Sequence, residues 1–172
     1  MSRTTWIFLR HAESVANAGG WLSGWENVQL TERGRGQALA ARDAIADHPI
    51  GRCLTSDLDR AIATARLALG ARTVPMHHLG ELRERNLGVL QRVAIAECTA
   101  DGRRARWLSP WSEGPPGGES RARAVRRALA ALRAWDDGTP PSLSATGRCS
   151  ARSEEHTSEL QSHSDLVCRL LL

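Results

Sequence analysis

A short apolar run, Trp6 to Leu9, ends directly in a charged pair, Arg10 and His11. The run contains the β-branched and aromatic residues that buried strands prefer, so we predict the first central strand of a sheet over residues 4–9. In open α/β folds, ligands bind at the carboxyl edge of the sheet, where this strand would place a guanidinium and an imidazole. Arginine binds phosphate oxygens through paired donors, and a neutral histidine beside it can attack phosphorus. The pair therefore predicts a phosphate site.

Hydrophobic periodicity along the rest of the chain predicts helices that alternate with short strands, which is typical of an α/β domain. Thr31 is a suitable N-cap for a helix over Glu32–Asp47, because its hydroxyl can accept a hydrogen bond from a backbone N–H of the first turn. The other predicted elements are a strand over Ile50–Thr55, a helix that Ser56 or Asp57 caps and that runs to about Leu69, a strand over Thr73–Met76, and a helix that Glu119 and Ser120 open and that ends near Trp135.

Several residues lie in predicted loops, where the sequence alone leaves their role open. Trp21 and Trp25 precede the helix that Thr31 caps, and they could contact substrate or cover the edge of the core. His77 and His78 lack a carboxylate at metal-ligand spacing, so we expect a loop there and no metal site. The stretch from 103 to 118 is also expected to be mainly loop that overhangs the site.

The length and composition of the chain limit its class. Its 172 residues are enough for one α/β domain with its own core, and the hydrophobic fraction of 41% is that of a globular protein. The N-terminal apolar run is far too short for a signal-peptide core or a spanning helix, so we expect no membrane partner and a cytoplasmic location. Four cysteines show no paired metal-ligand spacing, and we predict free thiols. They are Cys53, Cys98, Cys149 and Cys168.

Arginine supplies all of the positive side-chain charge, because the chain contains no lysine, and the net charge is +4. The densest basic segment, Arg121 to Arg133, has apolar residues spaced by three and four, which indicates an amphipathic helix. No aromatic residues stand between its arginines to stack on bases, so we interpret them as a solvated face and predict no nucleic-acid partner. The oligomeric state stays open.

Five motifs in a fixed order give the chain a family resemblance. They are Arg10 to Ser14 followed by Asn17, Gly24-Trp25 with Leu30 to Gly34, Thr55 to Ala61 with Thr64-Ala65, Leu82 to Arg85 with Gly88, and Pro116 to Ser120. In order and approximate spacing they resemble the histidine phosphatase superfamily, the phosphoglycerate mutase-like family, whose signature is Arg-His-Gly-Glu-Thr followed by Asn. This chain has Ala12 in place of the glycine and Ser14 in place of the threonine. The resemblance extends from about residue 4 to about residue 138.

The resemblance implies a three-layer α/β/α fold with a mostly parallel sheet, of the phosphoglycerate mutase-like type, here missing its C-terminal strand and helix. It also implies phosphoryl transfer through a phosphohistidine on a phosphorylated small-molecule substrate, with no metal and no cofactor. Phosphatase activity is favoured over mutase activity, because the span after Glu84 looks short beside the insertion that mutases carry there. The sequence from Leu82 to Arg85 nevertheless resembles the corresponding motif of the mutases.

Five residues match the positions that carry the chemistry in that family. The resemblance implies that His11 is the nucleophile and that Glu84 is the proton donor. It also implies that Arg10, Asn17 and Arg60 bind the phosphate. From the local sequence alone, Arg60 could be a surface arginine and Glu84 could be a solvated glutamate between two arginines.

A catalytically dead phosphate-binding domain is the alternative from a different functional class. Members of the family need a second histidine, in a Ser-His-Gly-like motif after a strand, and no such motif occurs at the expected place. Ser162-His163-Ser164 imitates it, but this segment does not look native. We therefore expect this polypeptide to be unstable and inactive, with Arg10, His11, Arg60 and Glu84 present but their pocket incomplete.

The chain divides into three predicted segments. Residues 1–140 form an incomplete histidine phosphatase domain, and residues 141–151 form a Pro/Ser-rich string without a strand pattern. We interpret that string as frameshifted, because the possible codons from Pro140 onward, shifted by one base, permit Ala-Val-Ala-Val-Cys-His-Gly, an apolar strand that ends in the missing motif. Residues 152–172 resemble the translation of a sequencing-library adapter, and we expect a non-native tail that is poorly packed or forms an opportunistic helix.

Overall fold

The computed structural model describes residues 5–108, 111–136 and 169–171 of the chain. Its elements in chain order are β1 (Phe8–Arg10), α1 (Val15–Ala18), α2 (Glu32–Ala44), β2 (Cys53–Thr55), α3 (Asp59–Leu69), β3 (Met76–His78), the 3-10 turns Gly80–Leu82 and Gly88–Leu90, α4 (Ile95–Ala100), α5 (Gly102–Leu108), α6 (Arg121–Asp136) and β4 (Arg169–Leu171). The predictions for residues 141–151 and for nearly all of residues 152–172 lie outside the described part.

The strands form one sheet in the order β1, β4, β2, β3. Strands β2 and β3 pair in parallel, with Cys53 opposite Met76, whereas β4 pairs antiparallel with both β1 and β2. Because β4 runs against both of its neighbours, β1, β2 and β3 all point in the same direction. The prediction of a mostly parallel sheet is therefore confirmed, and the carboxyl ends of these three strands meet at one edge.

Strand β4 departs from the expected tail. We expect a poorly packed or helical segment, yet residues 169–171 form a strand between β1 and β2, so the expectation is wrong for these residues. The parallel strands β1 and β2 are separated by the width of one strand. Their backbone N–H and C=O groups point into this gap, and an extended segment placed there can pair with both strands. Leu171 lies opposite Phe8 of β1 and also opposite Leu54 of β2. Residues 169–171 thus lie in the middle of the sheet.

Adjacent residues of β2 face opposite sides of the sheet, and each side has its own core. On one side, Cys53 packs with Ile45 at the C-cap of α2 and with Ala65 of α3. On the other side, Leu54 packs with Trp135 of α6. Helices α2 and α3 therefore cover one face and α6 covers the other, which confirms the three-layer α/β/α arrangement.

Local sequence determines the start of α2 but not its end. Thr31 caps the helix as predicted, and its hydroxyl accepts a 2.9 Å hydrogen bond from the N–H of Gly34. The helix ends at Ala44 and not at Asp47. Ile45, the C-cap residue, is buried in the core beside β2, so the packing of that side chain decides where the chain leaves the helix.

The start of α3 differs from the prediction. Leu58 occupies the N-cap position without a side-chain hydrogen bond, so neither Ser56 nor Asp57 caps the helix. Asp57 instead accepts a hydrogen bond from Nε of Arg83 at 2.6 Å. A charge-assisted bond to a guanidinium is stronger than a bond to a neutral backbone N–H, which explains the exchange of partners. Arg60 nevertheless lies in the first turn of α3, as predicted.

Two segments predicted as loop are regular structure. His77 and His78 belong to β3, and the His77 ring packs on the Trp135 ring with 4.4 Å between centroids. Within the stretch from 103 to 118, the residues up to Leu108 belong to α5. The loop prediction is wrong for His77, His78 and residues 103–108, whereas residues 111–118 lie outside helices and strands, as predicted. Strand β3 forms because β2 supplies its hydrogen bonds, and that partner is distant in sequence.

The arginines of α6 fall into two groups. Arg123, Arg126 and Arg133 are exposed, as the prediction of a solvated face requires. Arg121 and Arg127 are half-buried and donate hydrogen bonds to backbone carbonyls, so the prediction is wrong for these two. Periodicity identifies the helix, but it cannot show that carbonyl groups from distant segments lie beside it.

Gly34→Ala tests the close approach of α2 to residues 10–17, here called the signature segment. A Cβ atom at position 34 would lie 2.0 Å from the carbonyl oxygen of Glu13, so the backbone would have to move. We expect the free energy of unfolding to fall by about 1–3 kcal/mol. Gly36→Ala in the same helix is the matched control, because a Cβ there meets nothing within 4 Å, and it should raise stability by up to about 1 kcal/mol. Denaturant unfolding followed by circular dichroism measures both, and equal effects would contradict the close approach.

Candidate active site

Four of the predicted site residues lie together at the carboxyl edge of the sheet. Arg10 ends β1 and His11 follows it, Arg60 lies in the first turn after β2, and Glu84 lies in the segment after β3. Residues that follow parallel strands converge on one edge of a sheet. A 2.9 Å ion pair joins Arg60 to Glu84. The charges of Arg10 and Arg60 both act on the pKa of His11.

One hydrogen bond identifies the tautomer of His11. Its Nδ1 lies 2.8 Å from the carbonyl oxygen of Ala12, and because a carbonyl only accepts, Nδ1 carries the proton. Burial, with a smaller contribution from the charges of Arg60 and Arg10, lowers the pKa of His11 to about 4. The imidazole is therefore neutral at pH 7, and its Nε2 keeps the lone pair that a nucleophile needs.

A buried threonine connects this histidine to the helix that carries Arg60. The Oγ1 of Thr64 accepts a 3.1 Å hydrogen bond from the N–H of Ala12 and donates a 2.7 Å hydrogen bond to the carbonyl oxygen of Arg60. Ala12 is thus held at its N–H by Thr64 and at its C=O by His11. The orientation of the imidazole is therefore set by α3. Thr64 belongs to one of the five sequence motifs, but its role follows only from these contacts.

Arg60 is fully buried, although a buried cation is unfavourable unless its N–H groups are paired. Its Nη1 donates to the carbonyl oxygen of Glu26 and its Nη2 to that of Gly24, both at 2.9 Å. Nη2 also lies 2.9 Å from Oε2 of Glu84. Backbone carbonyls hold the guanidinium in place, and the carboxylate is a partner that an entering phosphate could replace.

Two opposing effects act on the pKa of Glu84. Burial raises it, whereas the charge and hydrogen bond of Arg60 lower it, with smaller contributions from Arg10 and Arg85. The effect of burial is larger, so the pKa lies above that of an ordinary glutamate. About a third of the side chain (33%) remains exposed, which leaves the carboxyl group accessible to a ligand. A carboxyl group of this kind is suited to donate a proton.

Asn17 belongs to a capping box at the start of α1. Its Oδ1 accepts hydrogen bonds from the N–H of Ser14 at 3.0 Å and from the hydroxyl of Ser14 at 2.8 Å. Ser14 therefore performs a structural task that needs only a hydroxyl, which is consistent with serine in place of the family threonine. The amide of Asn17 is oriented with its oxygen toward Ser14, and its role toward phosphate stays a prediction.

Glu13, whose role could not be read from the sequence motifs, attaches the signature segment to α2. Its Oε1 accepts a 2.7 Å hydrogen bond from the hydroxyl of Thr31, and its carbonyl oxygen accepts a 3.0 Å hydrogen bond from the N–H of the same residue. The N–H of Glu13 donates to Oε1 of Gln37 at 2.9 Å. A carboxylate that approaches a helix N-terminus is favourable, so the predicted cap at Thr31 could have indicated this contact.

The structure gives a role to Trp25, one of the two tryptophans whose role the sequence leaves open. The Nε1 of Trp25 donates a 2.7 Å hydrogen bond to the carbonyl oxygen of Glu84, and its backbone N–H donates to Oε1 of Gln91 at 2.8 Å. The guanidinium of Arg83 stacks on its ring at 4.9 Å. Trp25 thus holds the segment that carries the candidate acid. Trp21 is half-buried, and its role stays open.

The site is rich in positive groups. In residues 5–108 and 111–136, no group of three or more His, Cys, Asp or Glu side chains is placed to hold a metal ion. A neutral imidazole between guanidinium groups suits an anion such as phosphate. The expectation that the reaction needs neither metal nor cofactor stays a prediction. Within the same residues, no helix combines the length and the apolar sequence that a membrane crossing requires.

The low pKa of His11 predicts how stability depends on pH. Its ordinary value is 6.5 and its value in the folded protein is about 4, so between these values the unfolded chain binds more protons. The free energy of unfolding should therefore fall as the pH is lowered through this window, by up to about 3 kcal/mol from this residue. Denaturant titrations of the parent and of His11→Asn at several pH values measure the difference between their free energies of unfolding. If that difference does not change with pH, His11 does not have the predicted pKa.

A comparison with protein families identifies one matching family. The family model of the histidine phosphatase superfamily (branch 1) matches residues 6–146, slightly beyond the limit of about 138 that the motifs indicate. Among curated proteins, adenosylcobalamin/alpha-ribazole phosphatase of Salmonella typhimurium is 36% identical and covers 77% of this chain and 68% of its own length. The 2,3-bisphosphoglycerate-dependent phosphoglycerate mutase 2 of Gloeobacter violaceus is 35% identical, with coverages of 81% and 65%.

Solved structures have the same fold. Mycobacterial glucosyl-3-phosphoglycerate phosphatase in complex with VO3 matches with a TM-score of 0.70 and 30% identity, over 80% of this chain and 70% of that one. YhfR of Bacillus stearothermophilus matches with a TM-score of 0.71 and 29% identity, over 78% and 68%. This chain thus spans about two thirds of the length of these relatives. The family match over most of the chain and the site at the carboxyl edge of its sheet lead to one conclusion: the chain belongs to the histidine phosphatase superfamily (branch 1).

Proposed function

We propose that this site hydrolyses phosphomonoesters through a phosphohistidine formed on Nε2 of His11. The observation that carries the proposal is the state of that ring, because the bond from Nδ1 to Ala12 and the low pKa leave Nε2 unprotonated at pH 7. The phosphatases of Salmonella typhimurium and of mycobacteria among the relatives support hydrolysis as the reaction. The substrate class is a phosphorylated small molecule.

In the first step Nε2 of His11 attacks phosphorus in line with the ester oxygen, so that an N–P bond forms as the P–O bond breaks. Arg10 and Arg60 neutralise the charge that spreads over the phosphoryl oxygens. The phosphate group of the substrate displaces the carboxyl group of Glu84 from Arg60. The loss of contact with the Arg60 guanidinium and the nearby negative charge of the substrate both raise the pKa of Glu84. Glu84 is then protonated and gives its proton to the departing oxygen.

In the second step water attacks the phosphohistidine. Glu84, now a carboxylate, takes a proton from the water while the N–P bond breaks and the electron pair returns to Nε2 of His11. Inorganic phosphate leaves, Glu84 returns to its ion pair with Arg60, and the proton is released to solvent. The amide nitrogen of Asn17 orients the phosphoryl group in both steps, because its oxygen is engaged by Ser14.

Phosphoglycerate mutase-type transfer is the second candidate. The sequence from Leu82 to Arg85 resembles the corresponding motif of the mutases, and a mutase of Gloeobacter violaceus is among the relatives. The short span after Glu84 favours the phosphatase. With 3-phosphoglycerate as substrate for the protein read from the uninterrupted frame of the source gene, we expect the release of inorganic phosphate to exceed the formation of 2-phosphoglycerate. The opposite ratio would assign the site to mutase-type transfer.

His11→Ala and Glu84→Gln test the two roles separately. In a protein read from the uninterrupted frame of the source gene, His11→Ala should lower turnover by several orders of magnitude and abolish the acid-labile phosphoenzyme. Glu84→Gln should slow the hydrolysis of alkyl phosphates, whose leaving group needs a proton, much more than that of 4-nitrophenyl phosphate. Initial rates and acid-quenched phosphoenzyme provide the measurements. Turnover that survives in His11→Ala, or a uniform effect of Glu84→Gln on all leaving groups, would contradict the assigned roles.

We also propose that residues 141–151 are frameshifted and that residues 152–172 are foreign to the domain, so that the polypeptide in its present sequence lacks the second catalytic histidine. We expect no turnover of 4-nitrophenyl phosphate by this polypeptide and clear turnover by the protein from the uninterrupted frame. Resequencing the source gene shows whether the frame is interrupted near Pro140. Robust turnover by the present polypeptide would refute the proposal, and phosphate binding without turnover by both proteins would favour the dead phosphate-binding domain. A cytoplasmic location and the absence of a nucleic-acid partner remain part of the proposal.

A further inference from the structure

Arg127, in the middle of α6, directs its guanidinium into residues 81–86, here called the acid loop because it carries Glu84. Its Nη1 donates to the carbonyl oxygens of Glu81 and Arg83 at 2.6 and 2.7 Å. Its Nη2 donates to the carbonyl oxygen of Glu84 at 2.8 Å. One side chain thus bonds to three carbonyl groups of the acid loop, and no shorter side chain of α6 could span them.

Glu119 holds this guanidinium in place. Its Oε2 accepts a 3.1 Å hydrogen bond from Nε of Arg127, and its Oε1 forms an ion pair with Nη2. Both side chains are largely buried, with 19% of Arg127 and 7% of Glu119 exposed, so each charge needs the other. Oε1 of Glu119 also accepts a 2.9 Å hydrogen bond from the N–H of Asn86. The pair therefore contacts the acid loop on both sides of Glu84.

Trp25 contributes the third contact to this arrangement. Its Nε1 donates to the same carbonyl oxygen of Glu84 that accepts from Arg127. The ring of Trp25 lies 4.9 Å from the guanidinium of Arg83 and 5.8 Å from that of Arg127. Two donors, Arg127 and Trp25, thus fix the carbonyl of Glu84, and the ring of Trp25 also packs against Arg83 and Arg127.

The contacts from Arg127 and Trp25 reach the backbone of the acid loop, while the carboxyl group of Glu84 meets Arg60 at 2.9 Å. A proton donor must lie within hydrogen-bond distance of the oxygen that it protonates, and a displacement of about 1 Å can lower a rate about 100-fold. The backbone position of Glu84 therefore matters to the reaction although its carbonyl takes no part in it.

We propose that Arg127 is a positioning residue for the proton donor: with Glu119, it fixes the backbone of the acid loop so that the carboxyl group of Glu84 reaches the leaving oxygen. The inference rests on the proposed function, because it assigns a structural origin to the role of Glu84. It also gives a task to a residue of the arginine-rich helix, which periodicity alone describes as a solvated face.

Arg127→Lys is the first variant, because lysine keeps the charge beside Glu119 but lacks the planar set of donors that can bond to three carbonyls. Arg126→Lys is the matched control, since Arg126 is the exposed neighbour on the same helix. If Arg127→Lys does not fold, Arg127→Met combined with Glu119→Gln removes both buried charges together. Circular dichroism establishes which variants are folded.

The first measurement is a pH titration of Glu84 in the full chain. It is monitored by NMR of glutamate labelled at the side-chain carboxyl carbon, and the Glu84 signal is assigned by its absence in Glu84→Gln. In Arg127→Lys the acid loop loosens and the carboxyl group gains water, so its pKa should move down toward the ordinary value. Arg126→Lys should titrate like the parent. Identical titrations in Arg127→Lys, the double variant and the control would overturn the proposal, whether or not the protein turns over substrate.

The second measurement is kinetic and uses the protein from the uninterrupted frame. Arg127→Lys should lower kcat for alkyl phosphates about 10- to 100-fold and leave KM and the rate with 4-nitrophenyl phosphate nearly unchanged. In a Glu84→Gln background the same substitution should have almost no further effect, because the residue acts through Glu84. A full additional loss in that background would overturn the proposal. If the parent shows no turnover, the proposed function fails, and the titration alone decides the role of Arg127.

Discussion

The structure depends on the burial of one positive charge. The guanidinium of Arg60 has no exposed surface, and removing it from water costs several kcal/mol unless its N–H groups are paired. Its partners are the carbonyl oxygens of Gly24 and Glu26 and the carboxyl group of Glu84. These groups lie in the loop before α2 and in the segment after β3, so both segments must pack against α3 before Arg60 can be buried. The same requirement that stabilises this packing also assembles the anion site.

Helix α3 links His11, the proposed nucleophile, to Glu84, the proposed proton donor. Arg60 and Thr64 are four residues apart, so they lie on one side of the helix. Arg60 contacts Glu84, while Thr64 holds the N–H of Ala12, whose carbonyl oxygen in turn accepts from the ring of His11. A single helix thus contacts the segments of both residues, and α6 adds a second restraint on Glu84 from the opposite face of the sheet.

Where the determinants of an element are local, the sequence predicts it well. The cap of α2 at Thr31 and the amphipathic α6 are confirmed, because both depend on residues one turn apart. The predictions fail where a distant partner decides. His77 belongs to β3 because β2 pairs with it, Asp57 does not cap α3 because Arg83 engages it, and residues 169–171 form a strand because two strands already face the space between them.

By itself the sequence determined which chemical groups are present and in what order, so the family and the candidate residues His11, Arg60 and Glu84 could be named from motifs. Only the tertiary structure decided the tautomer of His11 and the direction in which the pKa of Glu84 moves. Only the tertiary structure also decided that Arg127 bonds to the backbone beside Glu84. The physical reason is that burial, electrostatic interaction and hydrogen bonding depend on distances between segments that the chain separates by tens of residues, and no local pattern contains those distances.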